Sequence, residues 1–249
     1  MSDKVNEEVV PGSPAWWIQQ PDRSERVGGR GRPPVSFEKI ISTALEAVDE
    51  VGPQAFNMRM LAERLNSGTA TLYRHVASKD EILVHVVDRV LGEVEIDPLR
   101  LAKLPWQKAY VSGATAFFKI LSAHPKIIPL LVAQIPLGAN GLAGRERWLS
   151  LLAANGFSPE LAARAYVTMA NYVVGFATQQ HPRDTEVSAH ASDLKRFFSA
   201  LDKSHYPHTV KLAGQLAGIS IQQQFVFGLD LIIAGLEHLR GEQPPARRA

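Results

Sequence analysis

Between Asn57 and Glu81 the chain reads NMRMLAERLNSGTATLYRHVASKDE. Hydroxyl, guanidinium and imidazole groups crowd its second half: Thr69, Thr71, Tyr73, Arg74 and His75. Groups of this kind contact phosphate oxygens and base edges. Four cations (Arg59, Arg64, Arg74, Lys79) stand in the Arg59–Lys79 interval against the single anion Glu63. Concentrated positive charge is what a DNA-facing surface requires, because affinity comes largely from phosphate neutralisation and counterion release. The wider balance does not point the same way. Net charge is only +2, and from Arg30 to Glu95 eight Lys or Arg oppose ten Asp or Glu. On spacing alone, a helix-turn-helix that binds DNA and an ordinary helical hairpin with a polar outer face both remain open.

The elements that would carry these groups are helical. LAERL places Leu61 and Leu65 on one face, beside the small Ala62. Asn66-Ser67-Gly68 then interrupts with residues that tolerate unusual backbone angles, and TATLYRHV resumes as a second helix. Upstream, Ser36 is the expected N-cap of a helix with the apolar stripe Phe37, Ile40, Ile41, Ala44, Leu45, Val48 and Val51, ended by Gly52-Pro53. Asn57 can cap the helix that follows. Ser78 and Glu81 occupy the reciprocal positions of a capping box, launching a helix that runs to Asp97-Pro98. Downstream, a helix opens at Pro105 and reaches about Ser122, a shorter one starts at His124-Pro125, and Pro136-Leu137-Gly138 interrupts. Another ends at Asn155-Gly156, and Ser158-Pro159-Glu160 opens the next. No segment alternates with period two, so strands are not expected. His181 to Gly218 reads as a polar, irregular loop, with a helical turn or two over Asp193–Leu201.

The segment LAERLNSGTATLYRHVASKDEIL resembles the DNA-binding signature of the tetracycline repressor family. GFSPELAARAYVTMANYVVGFATQQ and FVFGLDLIIAGLEHL are similar to that family's two long dimer-forming helices, and the pattern extends from Phe37 to Leu239. The resemblance implies an all-α chain: a three-helix DNA-binding domain over 35–80, a helical effector-binding and dimerisation domain over 81–240, and a flexible tail over 241–249. It also implies that Arg59 and Lys79 hold phosphates, that Thr69, Thr71 and Arg74 face bases, and that Tyr73 and His75 brace against backbone and sugar. Three positions depart from the pattern. Asn66 replaces the usual turn Gly, Ser67 a buried Val, and Gly68 a capping residue, which predicts a slightly looser recognition helix.

Residues 1–34 are rich in Pro, Gly, Ser and charge and read as a disordered arm. Its end, Arg30-Gly31-Arg32-Pro33, resembles an AT-hook, so Arg30 and Arg32 are expected in the minor groove of A·T-rich DNA. Trp16-Trp17-Ile18 is an apolar island that either docks on a protein surface or stays in solvent without consequence.

For the effector, the resemblance carries over Phe117 and Pro136 but loses the polar partners of the magnesium–tetracycline chelate. Leu131, Gln134, Ile135, Gly113, Glu95, Gln179 and Asn171 stand where its ligands or their neighbours would be. An uncharged or weakly polar organic effector other than Mg-tetracycline is therefore expected. Its candidate polar contacts are Glu95, Gln134, Arg147 and Asn171.

There is no cysteine, and His205-Tyr206-Pro207-His208 reads as exposed loop rather than a metal site. No cofactor, metal or catalytic pair is expected, so the chain is not read as an enzyme. The N-terminus has no signal pattern and no apolar run approaches ~20 residues, which together predict a cytoplasmic protein. The functional expectation is a ligand-responsive repressor that binds a palindromic operator as a homodimer. The alternatives are an all-helical small-molecule carrier with vestigial DNA binding and an arm-led architectural DNA-binder.

Overall fold

A computed structural model describes residues 9–20, 35–101, 103–179 and 187–242. All regular structure among them is helical, and the helices fall into two compact units that divide at the end of the long helix closing at Thr178.

The first unit begins with a short helix in the N-terminal segment, α1 (Pro14–Ile18). Ser13 caps it by accepting the Trp16 backbone N–H at 3.2 Å, and Trp16 is only 8% exposed. The expectation of a disordered arm is therefore corrected over residues 9–20. Composition counted the Pro, Gly and charge but not the ~150–250 Å² that each tryptophan can bury. Of the two readings of Trp16-Trp17-Ile18, docking holds for Trp16, which is buried, and in part for Trp17, while Ile18 is exposed. Arg30 and Arg32 lie outside the described residues.

α2 (Phe37–Val51) buries Ile40, Ile41, Ala44, Leu45 and Val48. Ser36 accepts the Lys39 N–H at 3.1 Å, and Gly52, at φ +83°, ends the helix. Asn57 caps α3 (Met58–Arg64) by accepting the Met60 N–H at 3.0 Å. The turn that follows is closed by Asn66 at φ +48° and by Ser67 N–H donating to the Ala62 carbonyl at 2.9 Å. α4 is only Thr69–Leu72, shorter than the TATLYRHV expectation. Gly68 supplies no capping side chain, two of the four residues are β-branched, and the chain leaves through i→i+3 bonds from Arg74 and His75.

α5 (Lys79–Gly92) is the central helix, packing on α2 and on three later helices. Ser78 accepts the Glu81 N–H at 3.1 Å, but Glu81 returns its carboxylate to Ala77 N–H at 2.6 Å rather than to Ser78. The expected capping box is thus offset by one residue, and it leaves Glu81 almost fully buried. α6 (Pro98–Leu101) is a single turn. α7 (Trp106–Ala123) starts one residue after Pro105, which sits at the N-cap rather than inside the helix. A 3₁₀ turn (Pro125–Ile127) leads to α8 (Ile128–Ala133), then α9 (Ala139–Ala154) and α10 (Pro159–Thr178). Among the described residues no single helix is long and apolar enough to cross a membrane, although α7 and α8 approach that composition together across a 91° bend.

The second unit holds α11 (Val187–Ser199), α12 (Pro207–Lys211), α13 (Ala213–Gly218) and α14 (Ile221–Gly241). The irregular loop expected between His181 and Gly218 is corrected from Val187 onward: it is three helices. Ala191, Leu194, Phe198 and Leu201 recur at helical spacing and are half-buried, with α11 packed on α13. Ser220 and Gln223 form a full capping box at the start of α14.

Candidate nucleic-acid interface and small-molecule site

The hairpin α3–turn–α4 presents the residues singled out from sequence. Thr69, Tyr73 and Arg74 are exposed, whereas Thr71 and His75 are half-buried. Arg74 Nη2 donates to Thr71 Oγ1 at 3.3 Å, joining a cation and a hydroxyl one turn apart. Arg59 is exposed and pairs with Glu63 at 3.0 Å. Such an exposed i,i+4 pair is worth little, so the guanidinium can exchange the carboxylate for a phosphate at small cost. Lys79 Nζ donates to the Gln54 carbonyl at 3.4 Å. Arg64, counted among the local cations, is otherwise engaged: it makes a two-pronged contact with Glu50 of α2. That hydrogen bonding holds the Glu50 carboxyl below its usual range. Among the described residues, Arg74 and Lys79 make no ion pair, which leaves them as the cations most available to a duplex.

Several contacts that the sequence did not announce bind this hairpin's support to the helices behind it. His124, at the end of α7, places Nδ1 2.7 Å from Asp49 of α2 and Nε2 3.2 Å from Glu93 at the end of α5. Arg89 of α5 reaches Glu38 of α2 at 3.2 Å. Lys126 Nζ donates to the Glu50 carbonyl. No local periodicity reveals these, because each partner comes from a different helix.

The expected effector residues separate. Gln134 and Pro136 line one cleft, together with Trp17, Val84, Val87, Asp88, Ile135, Leu137 and Gly138. Phe117 is half-buried on α7, while Glu95, Arg147 and Asn171 are exposed and do not line that cleft. Trp17, Val84, Val87, Asp88, Leu137 and Gly138 line the cleft without having been singled out for it from sequence. Asp88 accepts backbone N–H groups from Asn140 at 3.2 Å and Gly141 at 2.9 Å, and the Asn140 side-chain amide at 3.2 Å, so a carboxylate of α5 caps α9. Burial raises its pKa, and these bonds oppose the rise. At Gly113 of α7 a Cβ would come within 2.6 Å of the Trp148 ring. Trp148 in turn meets Tyr110 edge-on at 5.0 Å, and the Tyr110 hydroxyl donates to the Ala165 carbonyl at 2.9 Å. Burial pushes that phenol well above the usual tyrosine range. An indole thus occupies the space beside Gly113 that a polar side chain would need.

Among the described residues no group of three or more His, Asp or Glu could hold a metal ion. His205 contacts Asp202 at 2.9 Å, and both it and His208 are exposed.

An exposed helix-turn-helix followed by a larger set of helices is the arrangement of a DNA-binding regulator. Residues 40–86 match the family model described as "Bacterial regulatory proteins, tetR family", and residues 101–240 match "Tetracyclin repressor-like, C-terminal domain". The chain belongs to the TetR family of transcriptional regulators. Its relatives include the "HTH-type transcriptional repressor DrrR1" of Streptomyces coeruleorubidus, 29% identical over 90% of this chain and 87% of that protein. The tetracycline repressor protein class G of Vibrio anguillarum is 28% identical over 81% of this chain and 93% of that protein. Among solved structures, apo ActR from Streptomyces coelicolor superposes with a TM-score of 0.75 at 33% identity, covering 85% of this chain and 99% of ActR. ActR in complex with actinorhodin superposes at 0.74, with 32% identity, covering 84% of this chain and 100% of ActR.

Proposed function

We propose that this regulator is a repressor that binds a palindromic operator as a homodimer and is released by a small organic effector. The observation that carries the reading is the exposed Arg74, bonded to Thr71 and engaged in no ion pair among the described residues, at the open end of the family's DNA-binding segment. Residues 35–80 would bind DNA. Arg59 and Lys79 would hold phosphates, Thr69, Thr71 and Arg74 would face bases, and Tyr73 and His75 would brace the backbone. Arg30 and Arg32 would enter the adjacent minor groove. Two copies would set their recognition helices about one DNA turn, ~34 Å, apart. The site of action would be cytoplasmic.

Residues 81–240 would take the effector and the second subunit. The cleft beside Gln134 and Pro136 has space for about one water and would have to open before it took an uncharged or weakly polar organic molecule. Phe117, Glu95, Arg147 and Asn171 are further candidate contacts. The structural relative ActR binds actinorhodin, which supports a small organic effector for this chain. A magnesium chelate is disfavoured, since Leu131 is a buried hydrocarbon where that chelate needs an imidazole. Effector binding would shift α5, and with it the spacing of the recognition helices, so that DNA and effector compete through a population shift.

The test is to select duplexes from random sequence with purified protein, then to titrate actinorhodin, a panel of uncharged aromatics and Mg-tetracycline against the complex. A palindrome bound with steep salt dependence and released by a member of the first two groups is the expected result. Weak binding without sequence preference, or release by Mg-tetracycline alone, would overturn it.

A further inference from the structure

The last turn of α2 carries two adjacent carboxylates with different partners. Glu50 takes the two-pronged contact from Arg64 of α3, which ties it to the DNA-binding hairpin. Asp49 turns instead to the helices behind: its Oδ2 lies 2.7 Å from Nδ1 of His124, at the end of α7. The other ring nitrogen, Nε2, lies 3.2 Å from Glu93 at the end of α5. All three residues are half-buried, and the remaining Asp49 oxygen is buried with no hydrogen-bond partner. The 3₁₀ turn that follows His124 packs on α2 at the same place. One imidazole thus joins α2, α5 and the start of the later helices.

A count of protons shows what this junction can do. Each of the two nitrogen–oxygen contacts needs a hydrogen between its atoms. A neutral imidazole carries one N–H, and a carboxylate carries none. The observed cluster therefore holds one proton more than a neutral ring and two carboxylates, whichever of the three groups is credited with it. Histidine is the side chain that ordinarily changes charge between about pH 5 and 8. The other charged groups around the junction are engaged elsewhere. Arg89 lies 3.5 Å from the second Glu93 oxygen and 3.2 Å from Glu38, Arg64 is on Glu50, and Lys126 donates to the Glu50 carbonyl. When the extra proton leaves, one contact becomes a nitrogen lone pair facing a carboxylate, which is repulsive in a half-buried site.

We propose that His124 is a positioning residue for operator recognition, through a proton-dependent joint with Asp49 and Glu93. With its extra proton, the joint holds α2 and the hairpin built on it at one angle to the helices behind. Without it, the DNA-binding domain is free to swing. A domain fixed before binding loses less conformational entropy when two half-sites are engaged together. The proton therefore favours the full palindrome and hardly affects a single half-site. The inference rests on the reading above of a homodimer on a palindrome.

The probes are the selected palindromic duplex and a duplex carrying one half-site. Each is titrated with full-length protein at constant ionic strength, from about pH 5.5 to about 8.5, across the histidine range. Wild type is expected to lose roughly fivefold of its preference for the palindrome as pH rises, the size of a modest coupling. His124→Gln, which keeps a single donor group, is expected to show the reduced preference at every pH with half-site affinity unchanged. Glu93→Gln supplies the missing hydrogen from its own amide, so its preference is expected to stay at the low-pH level throughout. That variant keeps the test decisive if His124→Gln does not fold. His75 of the DNA-binding hairpin is present in all three proteins, so its titration cancels in the comparison. A wild-type preference that is flat or rises with pH, or the wild-type profile persisting in either variant, would overturn the proposal. If no duplex is selected, the repressor reading fails, and the joint is then read without DNA by amide exchange across α2 in wild type and Glu93→Gln. Protection that falls at high pH in wild type alone supports the joint, and the same pH dependence in both proteins overturns it.

Discussion

Arg74 and Lys79 carry the same charge from different supports, and this separates their expected roles. Arg74 is planar, forked and bonded to Thr71 within the recognition element, the arrangement suited to reading a guanine edge. Lys79 is a point charge resting on the Gln54 carbonyl at the start of α5. Arg74→Ala should therefore relax sequence preference, whereas Lys79→Ala should weaken binding to all sequences alike and lower the salt slope by about one. Binding titrations on the selected duplex and on scrambled DNA at several salt concentrations distinguish the two. Equal loss of discrimination from both variants would show that this division is wrong. At the same scale, Asp88 links acidity to stability. Its native pKa is raised, so the folded protein binds a proton more tightly than the unfolded chain between the ordinary value of 3.8 and the raised one. Stability should therefore fall as pH rises through that window and flatten above it. Asp88→Asn should remove this slope, which thermal melts of both proteins across the acid range will test. The exposure of Thr69, Tyr73 and Arg74 was legible because their neighbours fix the helical face, whereas the partial burial of Thr71 and His75 was not. The capture of Arg64 by Glu50 was not, since the two lie fourteen residues apart on different helices.

Several helix starts were legible from the side chain that closes the first turn. Ser36, Asn57, Ser78 and Ser158 each accept a backbone N–H as their sequence positions imply. The starts of elements that depend chiefly on packing were not, even where a serine caps them, as Ser13 caps α1 and Ser220 caps α14. α1 is held by tryptophan burial, and α11 by its stripe against α13, which a dense set of charges obscures locally. The recognition helix was readable in place but not in length, because nothing in TATLYRHV marks Leu72 as its last residue. The turn before it carries the prediction at this scale. Asn66 stands alone among the described non-glycine residues at positive φ, +48°. Asn66→Ala should destabilise the protein by about 1 kcal/mol, the penalty for a left-handed residue with a Cβ. Asn66→Gly should be close to neutral, since glycine adopts that conformation freely. Denaturant unfolding of the three proteins measures both. An alanine variant as stable as wild type would mean that the turn relaxes to another geometry.

For the whole molecule the decisive question is what covers α14. Phe225, Leu229 and Leu236 are buried, yet Phe227 is 65% exposed and Leu231 58%, with Val226 and Leu239 also open. A helix apolar around most of its circumference needs two partners, and a second copy of the same helix is the economical way to cover the outer side. The expected assembly sets α14 of one chain against α14 of its partner. Binding two half-sites requires both DNA-binding domains, so breaking the interface should remove operator binding without touching a DNA-facing residue. Phe227→Glu with Leu231→Glu places two charges on that surface and leaves the buried side of α14 intact. Sedimentation should show monomers at concentrations where wild type is dimeric, with helical content preserved and affinity for the full palindrome falling toward that for a single half-site. Lys79→Ala, prepared alongside, should lose DNA affinity and stay dimeric, which separates a failure of assembly from a failure of contact. If the double variant remains a dimer, the outer face of α14 is not the interface. The pairing of recognition elements would then need another surface.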